Sequence, residues 1–400
     1  MSEYETIVRI AAKGDGVTES GRHAAGTLPG DVIDASGVII DRGPRHQEPP
    51  CQHFGTCGGC QLQHADNAAL AAFVRDRVVN AALGQGLEID EELPVHLSPP
   101  KARRRTTLHA IRTQKSAIIG FRESGSHKIV DCRECPVLHP SLADLIDPVR
   151  SLIARYGPKG AVDVQMTVCD TGVDVGFTHF PLEGLEAIEA MSDFARERGL
   201  ARVTIDQGYG PETQWEPEPV TVTLGGIPVP FPSGSFLQAT EDAEDRMIAD
   251  AQEFLGDAKK VADLFSGLGT FALNVREGRK FLAAEADRSA HLALKSVAAR
   301  ARGNVYPIHR DLFRNPLQSA ELNNFDAVLL DPPRAGARSQ VQEMAASDCE
   351  KVVYVSCNPS SWARDGSVMA EAGFRLSKLR PVGQFRWSTH VELVSLFERN

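Results

Sequence analysis

Apolar and polar residues alternate along this chain in two rhythms, and the change falls near residue 236. Over residues 1 to about 48, short alternating stretches lie between glycines. They are Thr6-Ile7-Val8-Arg9-Ile10, Gly14-Asp15-Gly16-Val17, Leu28-Pro29-Gly30-Asp31-Val32-Ile33 and Gly37-Val38-Ile39-Ile40. Short strands with turn signals about every ten residues predict a small β-barrel. Asp41-Arg42-Gly43-Pro44, running on to Glu48-Pro49-Pro50, reads as a linker. Residues 67–83 carry apolar groups at helical spacing, with Asn67 as the candidate N-cap. From about 95 to 230 the pattern is mostly strands and loops, with helical stretches near 140–155 and 183–199.

Beyond residue 236 helices and strands alternate. A helix near 241–255 precedes the strand Val261-Ala262-Asp263-Leu264-Phe265. Later strands fall at Phe281-Leu282-Ala283-Ala284, ending in Glu285, and at 326–330 and 352–355. This βαβ order predicts an α/β fold with a doubly wound, mostly parallel sheet. The expected division is a β-barrel over 1–48, a central α+β domain over 49–235 and the α/β domain over 236–400.

Four hundred residues are long for one domain, so more than one is expected. The 42% hydrophobic content is ordinary for a globular chain, and no run approaches the roughly 18 apolar residues that cross a bilayer. The start, Met-Ser-Glu-Tyr-Glu, lacks signal-peptide character, so a cytoplasmic location without membrane attachment is expected. A net charge of −10 argues against a general basic coat for nucleic acid. The dense run Lys101-Ala102-Arg103-Arg104-Arg105 is either a local basic patch or a solvated edge strand. Of eight cysteines, Cys51, Cys57 and Cys60 cluster as metal ligands do, whereas Cys169 and Cys349 read as packing residues.

Asp263-Leu264-Phe265-Ser266-Gly267-Leu268-Gly269-Thr270 lies between a strand and a helix, where glycines let backbone approach a ligand. It lacks the third glycine of the dinucleotide fingerprint, and no phosphate-loop lysine follows. Glu285, at the next strand end, suits a ribose diol. These features favour a nucleoside without a pyrophosphate, and S-adenosylmethionine is the natural candidate. Asp331-Pro332-Pro333-Arg334 and Ser356-Cys357-Asn358-Pro359 each follow an apolar strand, so both aim at the rim where ligands bind in such sheets.

A thiolate added to C6 of uracil makes C5 nucleophilic, and a base must then remove the C5 proton. Cys357 suits the first role and Glu392, in Ser388-Thr389-His390-Val391-Glu392-Leu393, the second. Alone, Cys357 is better explained as a packing thiol and Glu392 as a surface carboxylate. Only the combination points to catalysis. Methylation of an exocyclic amine, suggested by Asp-Pro-Pro, would want an aromatic where Arg334 stands.

Several motifs in order give the chain a resemblance to the S-adenosylmethionine-dependent RNA 5-methyluridine methyltransferases. They are Cys51-x5-Cys57-Gly-Gly-Cys60-x2-Gln63-His64, Phe236-Leu237-Gln238, Asp263-Leu264-Phe265-x-Gly267-x-Gly269, Asp331-Pro332-Pro333-Arg334-x-Gly336, Ser356-Cys357-Asn358-Pro359 and His390-Val391-Glu392. The resemblance implies Cys357 as nucleophile, Glu392 as base, and cofactor contacts at Gln238, Phe265, Thr270, Glu285, Asp311 and Asp331. Thr270 stands where relatives often carry asparagine. The resemblance further implies a class I methyltransferase domain with a TRAM-like, OB-like RNA-binding barrel ahead of it. It also implies a [4Fe-4S] cluster held by Cys51, Cys57, Cys60 and Cys135, the last in Cys135-Pro136-Val137-Leu138. Cys132 makes a competing Cys-x2-Cys pair, and four thiolates alone suit zinc equally well.

The implied partner is RNA, with 23S rRNA favoured over tRNA because cysteine-bearing relatives mostly act there; no protein partner is required. An iron–sulfur RNA-binding protein with an inactive methyltransferase domain is the alternative from another class. Two departures stand out: Phe385-Arg386-Trp387-Ser388-Thr389 replaces Phe-Pro-His-Thr, and Thr240 replaces asparagine two residues after the glutamine.

Overall fold

The computed structural model describes residues 4–399. Near its start, strands from Tyr4–Ile10 to Ile39–Asp41 form a five-stranded antiparallel sheet. Its edge strands His23–Ala24 and Ile39–Asp41 are not paired with one another, so the small barrel expected here is a half-barrel. A small cluster of Ile7, Ala24 and Ile33 fills it.

A six-stranded sheet follows, with Arg105–Arg112 an interior strand between Ala117–Gly120 and Ala161–Cys169. Helices Ile146–Tyr156 and Leu185–Glu197 bury Val149, Ile153, Met191 and Phe194 in its core.

The largest sheet uses β1 (Lys260–Leu264), β2 (Lys280–Glu285), β3 (Val305–His309), β4 (Ala327–Leu330), β5 (Lys351–Ser356), β6 (Phe374–Gly383) and β7 (Glu392–Arg399). Their spatial order is 3-2-1-4-5-7-6, with β7 antiparallel to both neighbours. The apolar runs of β4 and β5 suit strands covered on both faces. Val328 and Leu330 enter one core and Leu329 the other, following the two-residue period of a strand. The first core packs helix α1 (Asn67–Leu83) and helix α4 (Pro359–Glu371) through Phe73, Val74, Trp362 and Met369. The second packs helix α2 (Glu241–Leu255) and helix α3 (Thr270–Asn274) through Met247, Phe254 and Phe271.

Two local findings differ from expectation. The cap of α1 is Asp66 rather than Asn67, because the Asp66 carboxylate accepts the Ala69 amide at 2.8 Å while Asn67 is already helical. The short strands Ile89–Glu92 and His96–Leu97, far upstream of residue 236, pair in parallel with β6 and extend the large sheet. Among the described residues, no helix is long and apolar enough to cross a membrane.

Candidate active site

The order reversal between β1 and β4 opens a crevice at the carboxyl ends of the parallel strands. Cys357 follows β5 directly, and Asn358 caps α4 by accepting the Ser360 amide at 3.2 Å. Because β7 runs antiparallel, its first residue lies at this same rim. Ser356 pairs with Leu393, which sets the Cys357 and Glu392 positions side by side. The Asn358 side chain and the Ser361 hydroxyl both donate to the Arg334 carbonyl, at 2.8 and 3.0 Å. The loops after β4 and β5 are thereby tied together. The Arg334 guanidinium donates to His390 Nδ1 at 2.6 Å, linking both to the approach of β7.

Glu392 is 5% exposed. Gln384, 1% exposed, donates from Nε2 to Glu392 Oε1 at 2.8 Å and to Gln238 Oε1 at 3.2 Å. Its Oε1 accepts the Ala239 amide at 3.1 Å, and Gln238 in turn donates to Asp331 Oδ2 at 3.3 Å. A continuous chain of side-chain amides therefore joins Glu392 to Asp331. Burial pushes the Glu392 carboxyl up to about 7, against the Gln384 donation and the charges of Arg105 and Arg334. Asp331 is raised well above the usual carboxylate range by burial, then by Glu392 and Asp263. Burial lifts the Cys357 thiol to about 11; Glu392 and Asp331 add to this and Arg334 opposes it.

The other wall of the crevice comes from β1 to β3. Phe265 has φ of +61° and packs its ring on Phe313 with centroids 5.4 Å apart. Gly269 has φ of +89°, and a Cβ there would lie 2.6 Å from Leu294, so glycine is required at the start of α3. Thr270 is the first residue of that helix, and its carbonyl accepts from Asn274 at 2.7 Å. Glu285 accepts two backbone amides, Gly267 at 2.8 Å and Asp287 at 2.6 Å. Asp311, just past β3, accepts the Phe313 amide at 3.0 Å. Of the residues expected at the cofactor, Gln238 and Asp331 are in direct contact. Glu285 binds the glycine loop, and Asp311 joins Phe265 only through Phe313.

The basic run is no solvated edge. Arg104 pairs with Glu244 at 2.7 Å and donates to the Gln238 carbonyl at 3.0 Å. Arg103 lies over Phe385 at 5.2 Å and Arg105 over Phe236, which is 61% exposed, at 4.5 Å. Gln384 has no motif to mark it; it is a single polar residue just past the end of the mixed strand β6.

Cys51, Cys57, Cys60, Cys132 and Cys135 line a single cavity together with Arg103, Phe121 and Phe385. Burial pushes the Cys60 and Cys132 thiols up to about 12, with neighbouring cysteines adding to the shift. Among the described residues, no three His, Cys, Asp or Glu side chains are gathered closely enough to hold a metal ion. Cys169 and Cys349 are buried, as packing residues are.

Residues 227–400 match the model of the tRNA (uracil-5-)-methyltransferase family. An uncharacterized RNA methyltransferase of Zymomonas mobilis is 47% identical over 98% of this chain and 99% of its own length. The 23S rRNA (uracil(1939)-C(5))-methyltransferase RlmD of Pectobacterium atrosepticum is 29% identical over 90% of this chain and 82% of its own. The crystal structure of the Pyrococcus abyssi tRNA (uracil-54, C5)-methyltransferase, solved with S-adenosyl-L-homocysteine, has a TM-score of 0.76 at 21% identity, covering 99% of both chains, and thus shares the fold. The chain belongs to the RNA methyltransferases, with residues 227–400 matching the tRNA (uracil-5-)-methyltransferase family, and is an S-adenosylmethionine-dependent RNA (uracil-5-)-methyltransferase.

Proposed function

We propose that this enzyme makes 5-methyluridine in 23S rRNA, with Cys357 as nucleophile and Glu392 as base. The observation that carries this is the β5–β7 register, which sets the cysteine and the glutamate beside each other at the crevice rim. The Cys357 thiolate adds to C6 of a uridine and makes C5 nucleophilic. When bound, S-adenosylmethionine supplies the methyl group; Gln238, Phe265, Thr270, Glu285, Asp311 and Asp331 are its proposed contacts. Once C5 is methylated, Glu392 takes the C5 proton, the C6–S bond breaks and the thiolate is released. The target base must leave its stack to reach these groups. The segment 1–48, whose strands between Tyr4 and Asp41 form the half-barrel, is the proposed RNA-binding unit, ahead of a central domain over 49–235 and a methyltransferase domain over 236–400. A cytoplasmic location accords with this role.

The cysteine cavity fits a [4Fe-4S] cluster, with Cys51, Cys57, Cys60 and Cys135 as ligands. Five of its lining residues are cysteines, and Arg103 supplies a cation at the wall. Four thiolates suit a cluster and tetrahedral zinc alike, and the family resemblance of the cysteine motif favours the cluster. Its role is proposed to be structural. Iron and sulfide analysis after anaerobic reconstitution tests the assignment: C135S should lose the cluster and C132S keep it.

The decisive experiment incubates the enzyme with labelled S-adenosylmethionine and either 23S rRNA or tRNA lacking the modification. Label in 5-methyluridine of 23S rRNA supports the reading, and label only in tRNA redirects it. Cofactor and RNA binding without transfer to either RNA would point instead to a binding protein.

A further inference from the structure

Gln384 lies outside every motif that marks this family in the sequence, yet it is among the most buried polar residues at the crevice. Both ends of its amide are engaged: Nε2 reaches Glu392 at 2.8 Å and Gln238 at 3.2 Å, and Oε1 accepts the Ala239 amide at 3.1 Å. The Ala239 bond fixes which way the amide faces, because an N–H can only meet the oxygen end. With that end committed, the NH2 group must point at the two side-chain oxygens. Gln384 sits at the exit of β6, whose penultimate residue Val382 pairs with Glu392 in β7. The backbone ladder therefore holds its Cα while Ala239 holds its side chain.

We propose that Gln384 is a positioning residue that fixes the Glu392 carboxylate for removal of the C5 proton and joins it to the cofactor-side amide of Gln238. The inference rests on the roles of Cys357 and Glu392 given above. Donation from Nε2 orients one carboxylate oxygen and favours the charged form, the one that accepts a proton. A side chain of similar length without the amide would leave Glu392 buried, free to rotate and shorn of a donor.

The test is Q384M, with Q384E as a second variant that keeps the shape but sets a second carboxyl against Glu392. Each is compared with wild type using uridine-containing RNA and S-adenosylmethionine. Expected for Q384M is a fall of roughly tenfold in turnover at saturating cofactor, part of the 10²–10⁴ that a general base supplies. A covalent protein–RNA complex through Cys357 should accumulate, because the step after methylation is the one slowed. The acid limb of the rate–pH profile should move to higher pH. Q384E should accumulate the complex more strongly still. Normal turnover at saturation with only a raised KM for cofactor would overturn the proposal, assigning Gln384 to Gln238 alone. Loss of S-adenosylhomocysteine binding and of the thermal transition in both variants would equally overturn it in favour of a purely structural role. Wild-type enzyme with 5-fluorouridine RNA separates the two levels. No trapped adduct there removes the Cys357 reading itself, whereas a wild-type adduct beside an unaltered Q384M profile removes only Gln384.

Discussion

The two walls of the crevice hold their carboxylates in opposite ways. On the β1–β3 side, Glu285 accepts backbone amides from Gly267 and Asp287, and Asp311 accepts one from Phe313. On the β4–β7 side, the donors to Asp331 and Glu392 are the side-chain amides of Gln238 and Gln384. Backbone donors fix a carboxylate as firmly as the chain itself is fixed, which suits recognition of a ribose or an adenine. Side-chain donors in a buried setting leave proton affinity open to adjustment, and burial has lifted Glu392 to about 7. On the proposed reading, the β1–β3 wall only binds, through Glu285 and Asp311, whereas the other sets the proton-moving Glu392 beside two further cofactor contacts, Gln238 and Asp331.

That division can be broken by substitution. Cys357→Ala should lower methylation by on the order of 10⁴-fold or more, as removal of a nucleophile does, and abolish the adduct with 5-fluorouridine RNA on denaturing gels. A persistent adduct would take Cys357 out of the mechanism. Glu392→Gln should cost about 10²–10⁴-fold in turnover and leave a methylated covalent complex. If it instead prevents the complex from forming, Glu392 acts before methyl transfer. On the binding wall, Glu285→Ala should raise the cofactor KM by roughly 10- to 100-fold, the worth of hydrogen bonds to a charged group, while kcat changes little. A matching drop in kcat would erase the distinction between the walls.

The smallest effect concerns stability. Glu392 titrates near 7 when folded against an ordinary 4.5, so between those values the native state binds more protons than the unfolded chain. Folding is accordingly favoured at the acid end of this window and weakened as pH rises through it. Glu392→Gln should flatten that slope, gaining on the order of 1–3 kcal/mol over wild type above neutral pH, measured by denaturant unfolding at pH 5 and pH 8. Parallel slopes would mean the carboxyl is not starved of solvation.

The strand-end residues are legible in the sequence because each sits where an apolar run stops, a stop that prolines mark after Asp331 and Cys357 but not after Glu285. Asp331, Cys357 and Glu285 were found that way. Gln384 was not, because its partners Glu392, Gln238 and Ala239 meet only once β6 and β7 are paired. The arginines at 103–105 read equally as a basic patch or a solvated edge in the sequence, because composition does not reveal that Glu244, Phe236 and Phe385 wait around them. For the half-barrel, turn spacing predicts a small barrel by counting strands but says nothing of whether the edges meet. The Asp66 cap escaped notice because two adjacent residues, Asp66 and Asn67, are both good caps.

The strands at 89–97 carry a practical consequence. A fragment begun near residue 236, where the alternating pattern starts, would leave β6 with a bare hydrogen-bonding edge and strip α1 from the apolar surface around Trp362 and Met369. Naked edges of this kind recruit other chains. Such a fragment should aggregate, because the catalytic sheet is completed by residues encoded long before the catalytic motifs begin.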